Sequence, residues 1–92
     1  MEAAVDTFSS PSTLPSTRQL SGVLFRISQH AETKALHSTT RRILMGRLRV
    51  AAQLLANAAL CDQIGHEDES VAQRRLILRI LADATSTFQQ HA

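Results

Sequence analysis

The strongest constraint on this chain lies between residues 40 and 64, where apolar side chains recur on two adjacent helical stripes instead of one. At about 100° per residue, Leu44, Leu48, Ala51, Leu55 and Ala58 fall on one line. Ile43, Val50, Leu54, Cys61 and Ile64 fall on a second line beside it, and the two cover an arc of roughly 200°. A helix apolar over half its circumference needs more than one neighbour. The stretch therefore predicts a central helix, covered by two others or in part by a second chain. Ser38, Thr39 and Thr40 are candidates to cap its start, and Gly65 suits the position just past its end.

Two further helices follow from the same reasoning. Ser16-Thr17-Arg18-Gln19 fits a capping box, and Leu20, Val23, Leu24, Ile27 and Ala31 then share one face, predicting a helix over 16–36. Glu67, Asp68, Glu69 and Ser70 complement the positive end of a helix dipole, and Ile77, Ile80, Leu81, Ala84 and Phe88 form a face, predicting a helix over 68–89. Val71, Leu76 and Leu78 lie off that face, beyond what a simple core requires. Residues 1–15 carry Ser, Thr and two prolines with no apolar period, and read as a loosely attached tail. No strand pattern or internal repeat is visible. The predicted class is all-α: a helical hairpin with a third helix packed across it, in one three-helix domain over 16–92.

Ninety-two residues support one small domain with a thin stability margin, and the single Cys61 excludes an internal disulfide. The absence of Trp and Tyr, with only three Phe, argues against a large pocketed core. The first residues lack a basic region followed by an apolar run, so no secretory signal is expected there. Nor does any uninterrupted apolar run approach the roughly 20 residues of a membrane span. The expected location is cytoplasmic, with export by a leaderless route as the exception.

Little in the chain points to catalysis. His30, His37, His66 and His91 form no i, i+4 pair, and one cysteine makes no zinc pattern. Cys61 sits on an apolar stripe as a small hydrophobe would. The clustered acids are accounted for by helix capping. No phosphate-binding glycine loop occurs, and no Ser-His-Asp grouping follows from the spacing. The expectation is no enzyme, no metal, no cofactor and no small-molecule substrate.

Nine of the ten basic residues are arginine, and Arg41-Arg42, Arg47-Arg49 and Arg74-Arg75-Arg79 could line a nucleic-acid groove. They diverge around their helices, with Arg47 pointing into the apolar half, and no aromatics interleave them. Residues 27–44 resemble a repressor-type helix-turn-helix through Ala31, Leu36, Thr40 and Leu44. Against this, Ala35 stands where a turn glycine is usual, and His30 and Arg41 stand at apolar positions. A small DNA-binding regulator is the alternative reading.

In layout, the Ala- and Leu-rich hairpin of residues 41–90 around Gly65 resembles the small helical chaperones and co-chaperones of bacterial type III secretion. The Ser/Thr/Pro-rich start is similar to the uncleaved leaders of proteins exported by that machinery. The resemblance implies a protein that masks an apolar helix of a client, and it carries no functional residue across. Together with the excess of apolar surface, it gives the leading expectation: an adaptor or chaperone-like module that buries helix surface against another chain or its own copy. The expected contact residues are Val50, Leu54, Cys61, Ile64, Leu76 and Leu78, with Arg47 and Arg79 pairing with acids at the rim.

Overall fold

The structure, a computed structural model, describes residues 14–90. Among these there are three helices and no strand: α1 (Thr17–Thr33), α2 (Ser38–Ile64) and α3 (Glu67–Gln90). The expected tail falls mostly outside the described residues, as does His91. The part of it that is described is anchored, not loose. Pro15 is fully buried, and its carbonyl accepts a hydrogen bond from the Arg74 guanidinium at 2.8 Å.

Local chemistry sets most helix ends. Ser16 caps α1 through the capping box: its Oγ accepts from the Gln19 N–H at 3.2 Å, and Gln19 Oε1 accepts from the Ser16 N–H at 2.9 Å. The helix ends at Thr33, about one turn earlier than the spacing predicts. Lys34 turns extended, while its N–H still donates to the His30 carbonyl at 2.9 Å. The early exit lets Leu36 fold into the core from the 34–37 junction. The cap of α2 is His37, not Ser38, Thr39 or Thr40: its Nδ1 accepts the Thr39 N–H at 3.3 Å. An imidazole nitrogen can fill the acceptor role that a hydroxyl usually fills at this position. Gly65 closes α2 with φ 81°, the left-handed conformation that favours glycine. The His66 N–H donates to the Cys61 carbonyl at 2.9 Å, and α3 begins within the next two residues.

The helices run up, down and up. At one end Thr17 meets Asp62 and Pro15 meets Arg74. At the other, Arg41 meets the Lys34 carbonyl and His30 stacks edge-on against Phe88, with ring centroids 4.5 Å apart. Hence α1 is antiparallel to α2, lies alongside α3, and covers one side of their hairpin. The core between them holds Leu20, Val23, Leu24, Ile27 and Ala31 of α1, Leu44, Leu48 and Ala51 of α2, and Ile77, Leu81, Ala84 and Phe88 of α3. Leu55, on the same predicted line as Leu48, is only partly buried at its edge.

By length and composition α2 could cross a membrane, contrary to the expectation from its apolar runs; 22% of its most apolar stretch is buried inside the chain. Averaged over a window, its leucines and alanines offset Arg47 and Arg49. A span would place arginines in hydrocarbon, at about 2.5–3.5 kcal/mol each near the centre. It would also strip α2 of the neighbours that cover Leu44, Leu48 and Ala51.

Candidate functional site

The two stripes of α2 meet different surroundings. The first is buried at Leu44, Leu48, Ala51 and Ala58, 0–3% exposed, while Leu55 on the same line is half-buried. The second is a continuous seam in which Ile43, Arg47, Val50, Leu54, Asn57, Cys61 and Ile64 alternate at steps of four and three residues. That spacing keeps one edge of a helix facing a packed neighbour along its length. Its outer row is open throughout, with Ile43 55%, Val50 48% and Ile64 56% exposed and Asn57 exposed between them. Its inner row closes toward the Gly65 turn: Arg47 is exposed, Leu54 half-buried and Cys61 buried.

The flank of α3 beside this seam carries Leu76, 48% exposed, and the half-buried Ile80, four residues apart on one line. Two contacts place that flank against the second stripe. Thr87 and Gln90 share a shallow cleft with Thr40, Ile43 and Arg47. Near the turn, the Cys61 thiol lies 3.7 Å from Glu69 Oε2. The contacts of α1 with α3, through Pro15 and His30, fall on Arg74 and Phe88 instead. The hairpin therefore has a side covered by α1 and an open side, and the open side joins Ile43, Val50, Leu54, Leu76 and Ile80.

The expected contact residues do not all gather there. Val50, Leu54 and Leu76 share the open side, with Ile64 at its end. Cys61 is turned into the chain, so it lies beneath the surface and presents little of it. Leu78 cannot join Leu76, because residues two apart on a helix lie about 200° from each other; it is half-buried against the core. Arg47 is exposed at the rim of the cleft, and Arg79 is exposed one turn along α3 from Leu76. Neither makes an ion pair among the described residues, where the one close pair is His66 Nδ1 to Glu69 Oε2 at 3.9 Å. Ile80 belongs to this surface as well as to the edge of the core, a double role that helix periodicity alone does not reveal. The strict seven-residue recurrence of 43, 50, 57 and 64 was the signal in the sequence that marked the seam as continuous.

Electrostatics concentrates at the Gly65 end. The Ser70 and Thr17 hydroxyls hold the Asp62 carboxyl below its ordinary range; burial opposes them, and the Arg74 charge adds the least. The Thr17 contact is a 3.0 Å hydrogen bond. Ser70 Oγ is buried on the side of α3 that faces Asp62 and makes no well-aligned hydrogen bond. Burial, then Glu69 and Asp62, push the Cys61 thiol up, which disfavours the thiolate. Among the described residues no three His, Cys, Asp or Glu side chains gather as a metal site would require. At the 34–37 junction, Arg41 gives its guanidinium to the Lys34 carbonyl at 2.7 Å, and α2 continues for 27 residues. That arrangement closes the junction and adds nothing to the helix-turn-helix alternative.

Among the described residues these features define an all-α three-helix bundle with an apolar face left open along its α2–α3 hairpin; Phe25 on α1 and Leu60 on α2 are exposed as well. No family model matches the chain, and no curated protein or solved structure does either.

Proposed function

We propose that this chain is a small helical protein-binding module, adaptor or chaperone-like, that works by burying the open side of its α2–α3 hairpin against a partner chain. The observation that carries the reading is the contrast on α2: one apolar stripe is buried at every position but the half-buried Leu55, while Ile43 and Val50, one residue round the helix, stand about half exposed on the same side as Leu76. Exposed apolar residues scattered singly are ordinary, but Ile43, Val50, Leu54, Leu76 and Ile80 share one side of two helices, interrupted only by Arg47 and Asn57, and such grouping is the form an interaction surface takes. The chaperone-like version rests in addition on the hairpin layout of residues 41–90.

Co-expression of the chain with the proteins encoded beside it, followed by gel filtration and circular dichroism, tests the reading. The expected result is a complex that Val50→Asp and Leu76→Asp dissolve while the helical signal stays unchanged. Assembly and function indifferent to both substitutions would refute it.

A further inference from the structure

Building on the binding-module reading, we infer that the occupant of the open side is a second copy of this chain, packed antiparallel across it. The argument is the distribution of charge along an elongated molecule measuring 41 × 23 × 16 Å. The end near Gly65 carries four acids, Asp62 and the Glu67-Asp68-Glu69 start of α3, against Arg18, Arg74 and Arg75, and Arg74 is turned to the Pro15 carbonyl. The opposite end is basic, with Lys34, Arg41, Arg42 and Arg47, against Glu32 and Asp83. A parallel arrangement superposes like ends. A two-fold axis across the helices superposes opposite ends twice, because an isologous contact is made in duplicate.

The seam on α2 has the symmetry this requires. Centred on Leu54, an antiparallel pair sets Leu54 against the partner's Leu54 and brings Ile43 to within one residue of the level of the partner's Ile64. It brings Arg47 to the level of the partner's Cys61, beside which Glu69 lies. Arg47 makes no ion pair among the described residues, and the acidic start of the partner's α3 supplies one. Such pairs set orientation and register more than affinity, and the affinity comes from the aliphatic rows between them.

Sedimentation equilibrium of the purified chain tests the inference, with circular dichroism confirming the fold of each variant. A dimer is expected. Arg47→Glu and Glu69→Arg should each raise its dissociation constant by about tenfold or more, and the double reversal should recover most of the loss. A dimer whose affinity the single reversals leave unchanged, or the double reversal fails to restore, overturns the antiparallel arrangement. A chain that stays monomeric overturns the second copy, and a fluorescent amphipathic peptide with a leucine seam flanked by glutamates then separates two cases. Peptide binding lost in Val50→Asp leaves the binding-module reading standing without self-association. A monomer that also ignores the peptide brings down both.

Discussion

The two sides of the α2–α3 hairpin are built from the same few residue types, yet one is a core and the other a surface. On the α1 side, Leu48 and Ala51 meet Leu20, Val23 and Ile27 and lose nearly all contact with water. On the other side, Val50 and Leu54, a turn of about 100° or less from Ala51 around the same helix, stand exposed and half-buried on the side that also carries Leu76 and Ile80. Hydrophobicity fixes how much surface a helix gains by hiding. Coverage depends on where the chain's remaining helix goes, and one 17-residue helix can lie on one side of a hairpin only.

Substitutions graded across the two sides can break this comparison. Leu48→Ala, on the sealed side, is expected to cost about 2–5 kcal/mol, a large share of the stability of so small a domain. A denaturation midpoint close to that of the unaltered chain would show that this side is not sealed. Arg74→Met comes next, because it removes the bond that fastens Pro15, and with it the entry to α1, onto α3. A charged hydrogen bond of this kind is worth about 1.5–3 kcal/mol. Its loss should also raise hydrogen exchange in α1 before that in α3, and equal increases in both would mean that the covering helix is held elsewhere.

On the open side, Val50→Ala should change the stability of the isolated chain by less than about 0.5 kcal/mol. A cost near that of Leu48→Ala would place Val50 in a buried contact within the chain. The smallest effect expected is that of acid on the Gly65 end. The folded Asp62 carboxyl titrates below its ordinary 3.8, so its stabilising contribution is complete above that value. The contribution is lost as pH falls through the lower folded value. The Asp62→Asn variant should therefore lose less stability than the parent between neutral pH and about pH 2.5, as followed by urea denaturation. Identical acid profiles would remove Asp62 from the anchor of the covered side.

Much of the fold was legible before any coordinates. Ser16 and Gln19 mark the start of α1 because a capping box is made within four residues, and Gly65 marks the end of α2 because few other residues adopt a positive φ without strain. The apolar periods located three helices and most of the core. Less legible was His37 as a cap, since a histidine side chain takes that role only when its neighbours orient it. The burial of Leu36 and Pro15 was equally hidden, because both lie outside any periodic segment and are held by contacts distant in the chain. Of the candidate surface, Val50, Leu54 and Leu76 emerged from the stripes. The stripes also group Cys61 and Leu78 with them, because apolarity alone does not say which way a side chain is covered.

The sequence by itself determined the number of helices, most of their ends and the existence of two apolar stripes on α2, because these depend on backbone chemistry and on a period of 3.6 residues. Only the tertiary structure decided which stripe became core. That outcome rests on α1 docking at both ends, through Thr17 to Asp62 and Pro15 to Arg74 at one and His30 to Phe88 at the other. A helical period states which residues share a face. It carries no information about which face the next helix will cover, and so the open side of the hairpin became visible only when the three helices were assembled.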